Sequence, residues 1–265
     1  MIRILMVGDI VGAPGRAIFA RTVARLKRER KADLVVANAE NAAGGKGLTR
    51  ALAEELTAAG ADILTLGDHA WDQREFLREI TQLDNVVRPA NYPPGAPGRG
   101  WVTRECKGVK VTVMALLGRV FMTPFVECPF RTADTILTRE PGLGRVVLVD
   151  MHAEATSEKT AMGRHLDGRV TAVCGTHTHV QTADETVLPG GTAYLTDLGM
   201  TGPKDSIIGR TTDTILRSFL TGLPVRFEVA DGHPQLEGAL LEVDEATGRC
   251  RAIRRIREGE ARDGA

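Results

Sequence analysis

The stretch Ile2-Arg3-Ile4-Leu5-Met6-Val7-Gly8-Asp9 decides how the rest of the chain is read. Its apolar run is broken only by Arg3 and stops at Gly8, the pattern of a short strand buried on both faces. An acidic side chain follows at once. The same order recurs downstream: residues 34–37 lead into Glu40-Asn41, and residues 63–66 into Asp68-His69. Between these runs, Pro14-Gly15 opens a helix in which Phe19, Val23 and Leu26 form one stripe while Arg21, Arg25 and Arg28 face elsewhere. Leu48, Leu52 and Leu56 predict a second helix, with Thr49 as its N-cap and Gly60 at its end. A βαβαβ rhythm of this kind predicts a parallel sheet with right-handed crossovers.

Further buried strands are expected at 109–117, 146–149, 170–174 and 192–196, and a helix at 211–220. The proline- and glycine-rich stretch 88–100 reads as an ordered loop. From residue 225 the pattern turns hairpin-like and ends with strand 249–256. No linker or repeat interrupts the chain. One domain is expected over residues 1–258, with 259–265 as a disordered tail.

Composition narrows the function classes. The 265 residues balance 34 Lys and Arg against 34 Asp and Glu, so nothing points to a general polyanion-binding surface. Aromatic residues make up only 4%, which disfavours a base-stacking platform. Cys106, Cys128, Cys174 and Cys250 form no C-x-x-C pair, so reduced thiols in a cytoplasmic protein are expected rather than a thiolate zinc site or a disulfide framework. No signal-peptide pattern or membrane-spanning apolar run is read from the sequence.

In parallel α/β sheets, sites gather where the carboxyl ends of the strands release their loops. Asp9, Glu40-Asn41, Asp68-His69, His152 and His177-Thr178-His179 all fall at such ends. A single one of these is equally well a helix cap or a satisfied histidine; five arriving together imply a metal site. Imidazoles suit zinc, iron and nickel, and carboxylates add affinity for hard cations. In extended backbone His177 and His179 would point to one face and so address one site. Gly44, Gly45 and Gly47 would let the chain bend so that Glu40 and Asn41 both turn inward. The Gly44–Lys46 loop lacks the spacing of a P-loop, although Lys46 is a candidate substrate contact. Neither a G-x-S-x-G elbow nor a G-x-G-x-x-G fingerprint is present. The arginines at 249, 251, 254, 255 and 257 read as a solvated strand edge. His165 and His233 are isolated.

These residues lie in GDIVGAPGR (8–16), ANAENAAGGKGLT (37–49), GDHAWD (67–72), RPANYP (88–93), LGRVFM (117–122), DMHAEATSEK (150–159), GTHTHVQTADE (175–185) and YLTDLGMTGP (194–203). In this the chain resembles the YmdB-like bacterial metallophosphoesterases, a branch of the calcineurin-like superfamily. The resemblance implies a four-layer α/β/β/α sandwich around two metal ions, expected to be iron, with manganese, zinc and magnesium as alternatives. Carried over by position, Asp9, Glu40, Asn41 and His179 would hold one ion and Asp68, His152 and His177 the other. Glu40 would bridge them, His69 would face the substrate, and Arg119 would contact its phosphate. One departure stands out: the family usually has asparagine where this chain has Asp68, which adds a negative charge to the centre. Ala39 stands where the family often has glycine.

The implied activity is phosphodiester hydrolysis of 2′,3′-cyclic nucleotides or similar small phosphodiesters, with a hydroxide bridging the two ions as nucleophile. Glu154, Thr156 and Ser157 are candidates to orient His152. The alternatives are a phosphomonoesterase of the same superfamily and a metal-dependent regulatory or RNA-binding protein with weak catalysis. RNA as partner is not indicated by the composition, and homo-oligomerisation stays open.

Overall fold

In the computed structural model of the chain, residues 1–259 are described. The first half alternates strands and helices: β1 (Ile2–Val7), β2 (Asp9–Ile10), α1 (Gly12–Arg28), β3 (Leu34–Asn38), α2 (Arg50–Ala58), β4 (Ile63–Thr65), the short α3 (Phe76–Glu79) and β5 (Val86–Val87). Then follow β6 (Trp101–Cys106), β7 (Val109–Leu117), α4 (Pro129–Arg139), β8 (Val146–His152), α5 (Thr156–His165) and β9 (Ala172–Thr176). The last part comprises β10 (Thr186–Val187), β11 (Ala193–Leu195), β12 (Met200–Pro203), α6 (Thr212–Thr221), β13 (Pro234–Val243) and β14 (Cys250–Gly259).

Two sheets result. The first runs β2-β12-β13-β1-β3-β4-β5 with β14 paired to β13, and the second runs β10-β11-β9-β8-β7-β6. Strands β1, β3, β4 and β5 are parallel, as the βαβαβ rhythm predicts. So are β7, β8, β9 and β11.

Strand alternation explains why β1 carries apolar residues on both sides. Ile2, Ile4 and Met6 pack against Val113, Leu148 and Ala172 of the other sheet. Leu5 and Val7 pack outward against Phe19, Val23 and Leu26 of α1 and Leu56 of α2. On the far side, Met114, Leu116 and Val149 pack against Ala133 and Ile136 of α4 and Met162 of α5. The layers are therefore helix, sheet, sheet, helix. A buried leucine or phenylalanine in any of these three cores contributes roughly 1.5–3 kcal/mol.

Several sequence expectations shift. The strand expected at 170–174 lies at Ala172–Thr176, and β8 continues through His152 rather than ending at residue 149. Strand β6 was not anticipated, because Thr103, Arg104 and Glu105 break its apolar pattern at the sheet edge. Thr49 caps α2 as expected, its side chain accepting from the Leu52 N–H at 3.3 Å. Of the tail expected at 259–265, Gly259 pairs with Gln235 in the sheet, and residues 260–265 lie outside the described residues. No helix among the described residues is long and apolar enough to cross a membrane.

Candidate metal centre

The carboxyl ends of both sheets meet at one edge. Asp9 begins β2 directly after β1; Glu40 and Asn41 follow β3; Asp68 and His69 open a short 3-10 turn after β4. His152 closes β8, and His177 and His179 follow β9. Glu40, Asp68, His152 and His177 present ligand atoms that all lie within 4.8 Å of one another. His152 Nε2 is 2.9 Å from Asp68 Oδ1, 3.1 Å from Glu40 Oε1 and 3.0 Å from His177 Nδ1.

This group is held by buried side chains that the sequence did not single out. Thr176 Oγ1 donates to Asp150 Oδ1 at 2.6 Å, so it accepts from His152 Nδ1 at 2.9 Å and aims His152 Nε2 at the group. Asp150 also accepts from Thr65 Oγ1 and Asn38 Nδ2. Asn38 in turn accepts the Glu40 N–H at 3.1 Å. The far nitrogen of His177, Nε2, lies 3.2 Å from Glu154 Oε2. Glu154 therefore attends His177 and not His152, the imidazole that the sequence reading gave it to orient.

A second cluster forms alongside. Asn41 Nδ2 donates to the Gly45 carbonyl at 3.2 Å, which turns its Oδ1 toward His179 Nε2, 3.2 Å away. His179 Nδ1 donates to the Ile208 carbonyl at 2.9 Å, freeing Nε2. Asp9 Oδ1 lies 3.9 Å from that nitrogen and 4.0 Å from His152 Nδ1. The His-Thr-His segment is not extended, contrary to the sequence reading. His177 and His179 adopt left-handed φ values of 102° and 65°, and Thr178 between them donates both its N–H and its hydroxyl to Asp197 Oδ2. Such backbone costs of order 1–3 kcal/mol per residue and persists only where surroundings fix it. Here the buried Lys159–Asp197 pair, 2.7 Å apart, does so.

His69 sits at the rim. Its N–H donates to Glu40 Oε2 at 3.0 Å, and its Nδ1 is 3.0 Å from Asp72 Oδ2, a partner not foreseen. A cavity of about 300 Å³ is lined by His69, Glu40, Asn41, His177, His179 and Arg210, among others. Arg119 is not brought there: its side chain is exposed and lines a separate cavity with Glu127 and Arg131. Lys46 is exposed as well, its carbonyl accepting from Gln73 Nε2.

The charges are those of a cation site. Asp9, Glu40 and Asp68 converge, and among the described residues they have imidazoles but no Lys or Arg as ion-pair partners. Burial pushes the Asp9 carboxyl up to about 7, helped by repulsion from Glu40 and Asp197 and opposed by His152. Burial alone would lower the His152 pKa, but Glu40, Asp68 and Asp9 carry it well above the ordinary imidazole value. For Asp68, burial is outweighed by hydrogen bonds with His152 and His177, which hold it below the usual carboxylate range. Asp9 Oδ1 is buried with no hydrogen-bond partner. An orphaned carboxylate oxygen, an oriented amide oxygen and imidazole lone pairs together fit divalent cations.

This sandwich, with its cation site at the joined strand ends, defines a metallophosphoesterase. The chain belongs to the YmdB-like protein family, whose sequence model matches residues 5–256. It is 46% identical over 254 residues to the 2′,3′-cyclic-nucleotide 2′-phosphodiesterase of Bacillus subtilis (strain 168), covering 96% of each chain. Two solved structures superpose with a TM-score of 0.92. One is a hypothetical protein from Thermus thermophilus, 45% identical, with 98% of this chain and 100% of that chain covered. The other is a novel phosphatase from Mycoplasma pneumoniae, 37% identical, with 98% of this chain and 94% of that chain covered.

Proposed function

We propose that the protein is a di-metal phosphodiesterase acting on 2′,3′-cyclic nucleotides or similar small phosphodiesters. The observation that carries this reading is the convergence of Glu40, Asp68, His152 and His177 within 4.8 Å, beside Asp9, Asn41 and His179. The relative from Bacillus subtilis supports the choice of substrate. On this reading Asp9, Asn41 and His179 hold one ion, Asp68, His152 and His177 hold the other, and Glu40 serves both. Iron is the proposed pair. When bound, two such ions supply a water activated for attack at neutral pH and neutralise charge on the phosphoryl oxygens.

The chain's own residues do the rest. Glu40 fixes the His69 backbone through Oε2, and Asp72 holds His69 Nδ1, which leaves Nε2 to carry a proton to the departing ribose oxygen. A cavity of about 300 Å³ suits one nucleotide better than a folded polymer. Four free cysteines fit a reducing compartment, so the cytoplasm is the proposed place of action.

The test is metal identification on protein purified without chelators, followed by a panel of 2′,3′-cyclic nucleotides and a comparison of bis-nitrophenyl phosphate with the monoester. Diester turnover that exceeds monoester turnover and vanishes with the metal is the expected result. A preference for the monoester would make the protein a phosphatase instead. Salt-sensitive RNA binding that survives chelation, without turnover, would sink the enzymatic reading.

A further inference from the structure

Residues 207–210 form a tight two-residue turn closed by Ile207 N–H to Arg210 O at 2.9 Å and Arg210 N–H to Ile207 O at 3.0 Å. Its central residues, Ile208 and Gly209, have φ of 46° and 94°. A β-branched residue in left-handed backbone is a genuine outlier, and such strain gathers at functional sites. The turn delivers two groups at once. The Ile208 carbonyl holds His179 Nδ1, and the Arg210 side chain reaches the Gly45 carbonyl, Nη2 to O being 2.7 Å. That same carbonyl accepts from Asn41, so the guanidinium stands one carbonyl away from the amide of the metal centre. It lies so close over Gly45 that a Cβ there would collide with Nη1.

Arg210 is half-buried and lines the cavity together with Glu40, Asn41, His69 and His177. A buried arginine is normally paired with a carboxylate. Among the described residues this one has none; its side-chain hydrogen bond goes to Gly45, and burial pulls its pKa below the ordinary value. A cation kept beside the acidic cluster yet paired with none of its members is placed for an anion that arrives from outside. Its planar fork matches two oxygens of a phosphoryl group, which a lysine cannot do.

Resting on the phosphohydrolase reading above, we infer that Arg210 is the anion contact of this site and binds a phosphoryl oxygen of the substrate and of the phosphate product.

Arg210→Gln and Arg210→Lys test this in manganese-loaded protein, with inorganic phosphate as the probe in calorimetry. Loss of a charged hydrogen bond raises the phosphate dissociation constant about ten- to a hundred-fold in the glutamine variant. Lysine recovers part of the binding, and metal content and thermal midpoint stay at the wild-type level. Unchanged phosphate affinity in Arg210→Gln overturns the assignment. So does a parallel fall in metal content, which would make Arg210 a support for Asn41, and so does a lysine variant as weak as glutamine. A wild-type protein that binds no phosphate overturns it too. Cyclic-nucleotide turnover is followed on the same samples: phosphate binding that depends on Arg210 without any turnover keeps the assignment and removes the substrate reading.

Discussion

In the half of the proposed centre formed by Glu40, Asp68, His152 and His177, both imidazoles are oriented by side chains; in the half formed by Asp9, Asn41 and His179, the amide and the imidazole are oriented by backbone carbonyls. His152 is aimed by Thr176 and Asp150 from within the strands of the second sheet. Asn41 and His179 are aimed by Gly45 and Ile208, both in loops. The contrast teaches where each half is vulnerable. The strand-borne half depends on the identity of buried polar residues. The loop-borne half depends on the path of the backbone and tolerates side-chain changes that leave that path alone.

The largest expected effect comes from His177→Ala, which removes a member of the first half. Elemental analysis should show at least one metal position emptied and turnover lost with it; full occupancy would remove His177 from the ligand set. Next is His69→Ala. A positioned proton donor is worth about 10²–10⁴ in rate, so kcat should fall by that factor while metal content stays constant. If metal content fell in step, His69 would belong to the centre itself.

Asp150→Asn sharpens the comparison directly. It leaves three donors, from Asn38, Thr65 and Thr176, around a weaker acceptor. Metal affinity should drop about 10–100-fold, as measured by competition with a chelator. Ile208→Gly is its counterpart in the loop-borne half. It relieves left-handed strain and keeps the carbonyl, so metal content should not change and stability should shift by about 1 kcal/mol or less. A loss of metal in this variant would erase the distinction between the halves.

The smallest effect is far from both. Hydrogen bonds from Arg251 and from the Thr247 and Ala246 N–H groups lower the Asp244 pKa from 3.8 to about 2. A depressed carboxylate stabilises the fold fully above its unfolded value and loses that contribution as pH falls through its folded value. Wild type and Asp244→Asn should therefore differ slightly in thermal midpoint at neutral pH and converge between pH 3.8 and about 2.

The parallel strands were legible because β1, β3 and β8 bury both faces and so write themselves as apolar runs, whereas the four-layer sandwich was implied only by the resemblance to the family. The polar residues that follow them stood out for the same reason. What sequence could not supply was the residues that hold them. Asp150 reads as a lone polar break in a buried strand, and Thr176 and Asn38 as strand ends. Their role appears only when β8 and β9 are laid beside β3 and β4. The His-Thr-His backbone was misjudged because a period of two assumes extended chain, whereas Asp197 and Lys159 bend this segment from a distance in sequence. Arg210 follows a glycine in a loop without any motif, and its position depends on a turn that local propensity disfavours at Ile208.

The segment pinned by Asp197 also has a thermodynamic consequence. His177 belongs to one half of the centre and His179 to the other, and a single threonine joins them. Because Asp197 holds that threonine by both its N–H and its hydroxyl, the two imidazoles share one anchor: Thr178→Ala should lower the metal content of both sides together, read by elemental analysis, and loss from one side alone would show that the halves are anchored separately.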